Sequence, residues 1–180
     1  MFKGDEVNRK KINKIILDNE IFLAKNSAFR YLGNRNHSSS ELRKKLNKKG
    51  FRKEIIEKVL VDLITKKFID DIKFTKAFVQ FRIERRKEGI IKIHSELIKK
   101  GISNEIISEV INTFRENPIH YDNAIVIAQK KYDSLKDKSL EFHKLKGRLF
   151  NFLKGKGFTT DIIIKVVDDV LGQDDVTQFD

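Results

Sequence analysis

The sequence contains no cysteine and no tryptophan, a single proline, and no long apolar run. Without cysteine the chain cannot form disulfides, thiolate metal sites or cysteine nucleophiles. It lacks the run of about 18 apolar residues that a transmembrane helix needs, and its N-terminus lacks the apolar segment of a signal peptide. We therefore expect a cytoplasmic protein that has no membrane partner.

Charge is abundant but unevenly distributed. The 180 residues include 38 Lys and Arg against 26 Asp and Glu, which gives a net charge of +12. Residues 1–60 hold 16 of these cations and 7 of these anions, whereas residues 122–180 hold 10 of each. A positive field over the N-terminal part attracts polyanions and speeds encounter with them. Lysine-rich helices that serve only solubility are the alternative interpretation.

One pattern occurs three times along the chain, at intervals of 51 and then 56 residues. A leucine is followed four positions later by a glycine in each copy, and the apolar residues downstream keep the same offsets. The equivalent positions are Leu46, Leu97 and Leu153, and Gly50, Gly101 and Gly157. A repeat of this length is a supersecondary unit used three times, which favours an extended binding surface over one buried active site.

The apolar residues within each copy recur at helical spacing. Residues 55, 56, 59, 60 and 63 form one apolar stripe of this kind. Each repeated glycine follows such a pattern at the place where a left-handed residue ends a helix. We therefore predict a helix before and a helix after each of these glycines.

Several residues are of types that cap the N-terminus of a helix. Ser38 and Glu41 have the spacing of a capping box, and Ser103 and Thr159 suit the N-cap position after the glycine turn. Arg52 is a poor N-cap at the equivalent position of the first copy. Asp71 precedes another helical pattern and is predicted to be its N-cap.

We predict an all-α fold, a tandem array of three three-helix repeats that forms an elongated, curved protein. Five residues are added within the third repeat, and the polar run from Ser134 to Ser139 is the expected place for them. Pro118 separates repeats two and three. The predicted ranges are a basic N-terminal helical extension (1–19), repeats at 20–71, 72–121 and 122–172, and an acidic C-terminal tail (173–180).

No pattern in the sequence indicates catalysis. The four histidines lack the spacing of a zinc site. Asp70 and Asp71 resemble a carboxylate pair of a metal-dependent nuclease, but adjacent side chains diverge on a helix. We predict no enzymatic activity, no metal and no cofactor, and keep a nuclease that uses these two residues as an alternative.

Clustered cations are the better candidates for function. One group surrounds the first glycine turn and another lies on the helix that opens repeat two. An arginine can bind either a carboxylate or a phosphate through a bidentate fork, so a nucleic-acid backbone or an acidic protein would suit these groups. The spacing of Phe74, Phe78 and Phe81 is typical of a helix core, and this argues against a base-stacking platform.

The order of several short segments resembles the RecX family of bacterial regulators of the RecA recombinase. The resemblance covers about residues 26–172 and is strongest in repeats one and two. It departs from the family at Thr75 and in the third repeat. The segments that carry it are Ala28-Phe29-Arg30-Tyr31-Leu32, Arg35-x-His37-Ser38, Phe68-Ile69-Asp70-Asp71-x-x-Phe74, Ala77-Phe78-Val79, and Lys99-Lys100-Gly101-Ile102.

The resemblance implies a regulator that binds the RecA nucleoprotein filament and restrains it. We expect this regulator to be a monomer. RecA and the backbone of single- or double-stranded DNA are the implied partners. A basic nucleic-acid-binding regulator that acts independently of RecA is the alternative. From the charge clusters, we expect the contact residues to be Arg35, Arg43, Lys44, Lys48, Arg82, Arg85 and Arg86.

Overall fold

A computed structural model of the protein describes residues 9–115, 117–136 and 141–176. These ranges form nine α-helices and contain no strand. The first eight residues of the predicted extension, the last four of the predicted tail, and residues 137–140 of the predicted insertion lie outside the described residues. The helices are α1 (Arg9–Asn34), α2 (Ser39–Lys48), α3 (Lys53–Thr65), α4 (Asp71–Arg86), α5 (Ile90–Lys99), α6 (Asn104–Arg115), α7 (Ile119–Lys136), α8 (Phe142–Lys156) and α9 (Thr160–Val176).

The packing of the helices follows the predicted order of the repeats, and the predicted all-α array is confirmed. Helices α1, α2 and α3 pack against one another, as do α7, α8 and α9, and α5 packs against α6. The chain forms two compact units, one up to residue 74 and the other from residue 75 onwards. None of the described helices is both long and apolar enough to span a membrane.

The first unit is built around an apolar core that includes Ala24, Leu42, Leu46 and Leu60. Its helix α1 runs without interruption through residues 19 and 20, where the predicted boundary between extension and first repeat lies. The repeat limits stay a prediction. In the third repeat, α8 has 15 residues where α2 and α5 have 10 each, so added length there is helical.

The three repeated glycines end their helices as predicted. Gly50, Gly101 and Gly157 have φ angles of +87°, +74° and +87°, in the left-handed region. The amide after each glycine donates to the carbonyl of the repeated leucine, as Phe51 does to Leu46 at 3.4 Å. This is the Schellman arrangement, and it explains why leucine, glycine and an apolar residue recur together.

The start of α2 has the predicted capping box. The amide of Glu41 donates to Ser38 Oγ at 3.0 Å, and the amide of Ser38 donates to the Glu41 carboxylate at 3.3 Å. The prediction for Asp71 was wrong. Asp70 caps α4 through the Lys73 amide, whereas the Asp71 carboxylate accepts from the amide and hydroxyl of Ser39 at 2.8 and 2.6 Å. Asp71 therefore supports the N-terminus of α2 instead of its own helix.

The predicted core face of α4 was also partly wrong. Phe81 is 50% exposed, although its spacing from Phe74 matched a core stripe. Phe74 is buried as predicted, but beyond it the buried stripe is that of Thr75, Val79 and Ile83. Because this competing stripe is rotated by one residue, the aromatic spacing alone placed Phe81 on the wrong side of the helix.

A backbone contact joins the second and third repeats within the second unit. The amides of Gly89 and Ile91, at the start of α5, donate to the carbonyls of Lys156 and Gly157 at 2.9 and 3.0 Å. The contact is so close that a Cβ on Gly89 would lie 2.1 Å from the Gly157 oxygen. Nearby, the buried Asn123 of α7 donates to the carbonyl of Ile83 at 2.8 Å.

We predict that Gly89→Ala lowers the free energy of unfolding by about 2 kcal/mol or more, because the methyl group overpacks this contact. The backbone at Gly89 has φ −78° and ψ 160°, which alanine adopts freely, so only the collision is tested. Gly147→Ala is the matched control. A Cβ at this position of α8 has no neighbouring atom within 4 Å, so the variant should raise the free energy of unfolding by about 0.5–1 kcal/mol. Urea unfolding followed by circular dichroism measures both, and equal stability of the two variants would contradict the prediction.

Candidate basic interaction surface

The outer face of α2 carries the clearest exposed cations of the first unit. Leu42 and Leu46 are fully buried, so this helix turns Arg43, Lys44 and Lys48 toward solvent. Lys44 and Lys48 lie one turn apart on the same face. Neither has a carboxylate partner among the described residues, so both charges are available to a ligand.

Arg43 has a structural partner. Its Nε and Nη2 donate to the two carboxylate oxygens of Glu57 at 2.7 and 3.0 Å, which joins α2 to α3. These hydrogen bonds lower the pKa of Glu57 and raise that of Arg43, so both groups stay charged. A bidentate pair of this kind competes with any external phosphate for the guanidinium.

Arg35 follows the last residue of α1 and supports the next helix. Its Nη1 lies 3.0 Å from Glu41 Oε2 and 2.7 Å from the carbonyl oxygen of Asn36. Glu41 is also the capping-box residue of α2. The Arg35 side chain is half exposed, so its outer edge remains accessible despite the pair.

Arg82 is the most deeply engaged of the predicted contact residues. Its guanidinium donates to Glu88 at 2.9 Å and also pairs with Glu96 on α5. Glu88 is only 6% exposed and accepts a second ion pair from Lys92 at 2.8 Å. The cluster closes the turn between α4 and α5, so Arg82 acts in the fold of the second unit.

Arg85 and Arg86 remain exposed at the end of α4. Arg86 lies 5.9 Å from the ring centre of Phe81, which is itself half exposed. Arg85 has no carboxylate partner among the described residues. An exposed ring beside an arginine has the composition of a site that stacks on a base and pairs with a phosphate.

Sequence reasoning gave no role to the ring of Tyr31, which the structure places beside the cations of α2. Lys45 Nζ and Lys49 Nζ lie 4.6 and 5.3 Å from its centre. These two lysines therefore lean back over α1, whereas Lys44 and Lys48 point away from it. The signal was the phase of α2, since Lys45 and Lys49 follow the buried Leu42 and Leu46 by three positions and so lie one turn apart.

His37 holds the turn that carries Arg35. Its Nδ1 lies 2.9 Å from the carbonyl oxygen of Arg35, and the residue is 5% exposed. Burial lowers the pKa of His37, and burial likewise lowers that of His120, whose Nε2 lies 2.8 Å from the carbonyl oxygen of Phe114. Across the described ranges, no group of three or more acidic or histidine side chains could hold a metal ion.

Comparison with known proteins identifies each of the three repeats. Residues 24–63, 70–111 and 119–167 match the family models described as the first, second and third three-helix domains of RecX. The regulatory protein RecX of Clostridium beijerinckii is 33% identical over 172 residues, which are 95% of this chain and 79% of that protein. That of Prosthecochloris aestuarii is 34% identical over 86% of this chain and 97% of its own length.

Solved structures show the same fold. A crystal structure of regulatory protein RecX superposes with a TM-score of 0.83 at 23% identity, over 93% of this chain and 83% of the other. The crystal structure of RecX from Lactobacillus salivarius gives 0.76 at 20% identity, over 85% and 97%.

We predict that Arg82→Ala lowers the free energy of unfolding by about 2–3 kcal/mol, because it leaves the buried Glu88 carboxylate with one cation fewer. Arg85→Ala on the same helix removes an equal charge from solvent and should change stability by less than about 0.5 kcal/mol. Guanidinium unfolding of both variants checks this. An unchanged free energy of unfolding in Arg82→Ala would show that the ion-pair cluster does not stabilise the fold.

We predict that the protein loses stability as the pH falls from about 7.5 to about 5.5. A lowered pKa in the folded state means that His37 and His120 stabilise the fold fully above their ordinary pKa of 6.5 and less below it. Unfolding at the two pH values should show a smaller difference for the His37→Gln/His120→Gln variant. An unchanged difference would assign the pH dependence to other groups.

Proposed function

The chain belongs to the RecX family of regulatory proteins, and on that premise we propose that it binds the RecA–DNA filament and restrains RecA. It acts as a binding protein and catalyses no reaction. Family membership supports the partner, and the exposed cations support the mode of contact. RecA activity would fall because the bound protein opposes growth or stability of the filament.

One observation carries the choice of contact residues: Lys44 and Lys48 of α2, and Arg85 of α4, are exposed cations without carboxylate partners among the described residues. Each such charge can neutralise a phosphate or a carboxylate without first breaking an internal ion pair. Contacts of this kind are individually weak, so several must act together along an extended partner. A nucleoprotein filament presents both phosphates and acidic side chains in a regular array.

The ion pairs divide the predicted contact residues into two groups. Arg43 and Arg82 hold carboxylates that belong to the fold, and Arg35 supports the start of α2. We propose that Lys44, Lys48, Arg85 and Arg86 make the primary contacts. Arg35, Arg43 and Arg82 serve mainly to position the helices that present these contacts.

Phe81 favours a direct contact with DNA as part of this binding. Its exposed ring lies beside Arg86 at the end of α4, so an unstacked base could lie on the ring while the arginine pairs with the backbone. The same feature would serve a regulator that acts on nucleic acid independently of RecA. RecA activity distinguishes the two functions, because only a regulator of RecA would change it.

The decisive experiment is the single-stranded-DNA-dependent ATP hydrolysis of RecA, with this protein titrated upward from well below the RecA concentration. We expect inhibition, and inhibition at substoichiometric amounts would favour capping of filament ends over simple competition. DNA binding by the protein without any effect on RecA would establish the independent regulator instead.

We predict that the triple variant Lys44→Ala/Lys48→Ala/Arg85→Ala needs about tenfold more protein for half-maximal inhibition, because three exposed contacts are lost. The matched control is Lys130→Ala/Lys154→Ala/Arg148→Ala, which removes the same charges from exposed positions of the third repeat. It should inhibit almost as well as the original protein. Equal loss in both variants would mean that net charge alone, and not these three positions, determines binding.

A further inference from the structure

Helix α1 has two apolar faces, and only one of them is covered. The inner face packs against the core of the first unit through Leu17, Ile21, Ala24 and Ala28. A second set of large apolar side chains on the same helix is 43–60% exposed. This outer set consists of Ile12, Ile15, Ile16, Phe22 and Leu23.

The outer set forms one continuous stripe. At about 100° per residue, its members fall within an arc of about 120°, roughly opposite to the buried face. Phe29, 36% exposed, continues the stripe and meets the exposed Phe68 edge-on, with ring centres 5.1 Å apart. From Ile12 to Phe29 the stripe is about 26 Å long. Single exposed apolar residues are ordinary, but a contiguous stripe of this length marks an interaction surface.

The spacing of the stripe is that of a coiled coil. Ile15, Phe22 and Phe29 follow one another at intervals of seven residues, and Ile16 and Leu23 do the same. These positions correspond to d and e of a heptad, and position a is occupied by Ile12, Asn19 and Asn26. Both asparagines are exposed. A buried asparagine at position a fixes the register of a helical partner, so the pattern points to another helix as the occupant.

A lipid surface fits this face less well than a helix does. Asn19 and Asn26 lie within the apolar stripe, where a bilayer would place their amides against acyl chains without hydrogen-bond partners. In a helix pair, a facing polar side chain can satisfy them.

Charge argues against a second copy of this chain. Helix α1 carries six Lys and Arg against two carboxylates, Asp18 and Glu20. Glu20 is already held by Arg52, with its Oε2 3.0 Å from the arginine Nε. Two copies of α1 would therefore bring like charges together. Within the described residues, Lys11 and Arg30 near the ends of the stripe have no carboxylate partner.

We propose that the outer face of α1 is a docking site for an amphipathic helix of a partner protein that carries apolar residues at its a and d positions and carboxylates beside them. Apolar contacts along the stripe supply the affinity, and the cations of α1 select an acidic partner over a basic one. This inference does not depend on the proposed function.

The test uses a designed helical peptide of four heptads with Ile at a, Leu at d, Asn at two a positions and Glu at e and g. A matched peptide has Lys at e and g. Binding to the full chain is measured by fluorescence anisotropy. We expect the acidic peptide to bind, and the basic peptide to bind at least about tenfold more weakly because of charge repulsion.

The variant Ile15→Ser/Phe22→Ser should weaken binding of the acidic peptide at least about tenfold, because it interrupts the centre of the stripe. The control variant Phe142→Ser/Ile164→Ser removes the same two residue types from exposed positions of the second unit and should bind normally. Helix content by circular dichroism should match the original protein in both variants, since all four side chains are exposed.

Three outcomes would overturn the proposal. The first is failure of the acidic peptide to bind, or equal binding by both double variants. The second is binding to vesicles of phosphatidylglycerol and phosphatidylcholine that requires Ile15 and Phe22, without peptide binding, which would make the occupant a membrane. The third is a dimer in sedimentation that dissociates in the Ile15→Ser/Phe22→Ser variant, which would make it a second copy.

Discussion

One backbone constraint shapes every three-helix unit: the left-handed glycine between its second and third helices. A residue with a side chain would be strained there, because φ lies near +80° in all three copies. The turn brings the next apolar residue back over the helix it has left, as Phe158 lies over Leu153. The direction of the following helix is thereby set, and the apolar stripe that the helix carries meets the rest of the core.

The third glycine, Gly157, also contacts the second repeat and so helps to join the second and third repeats. A Cβ on Gly157 would lie 2.4 Å from the Cβ of Lys92, and its carbonyl already accepts the Ile91 amide. The end of α8 thus meets the start of α5, where carbonyls and amides without partners in their own helices satisfy one another. Opposite ends of two helix dipoles also attract at this point. Gly157 therefore both ends α8 and allows the two repeats of the second unit to pack together.

Features determined by neighbouring residues could be predicted from the sequence, and features determined by distant ones could not. The glycine turns and the Ser38 capping box depend on a few adjacent residues, and both were predicted correctly. The partner of Asp71 is Ser39, 32 residues away, and no local pattern indicates it. The face of α4 was misjudged for a similar reason, because only the packed helices decide between the stripe of Phe81 and that of Val79.

The same distinction applies to charge, and it decides what a basic cluster can bind. A guanidinium that already holds a carboxylate of its own fold, as Arg43 and Arg82 do, must lose that partner before it gains another. The exchange leaves a carboxylate exposed toward the ligand or buried without its cation, and both are unfavourable. A lysine such as Lys48, which has no carboxylate partner among the described residues, loses only water and mobility on binding. On the proposed function, net charge would attract a polyanion from a distance, and the pattern of internal ion pairs would determine where it binds.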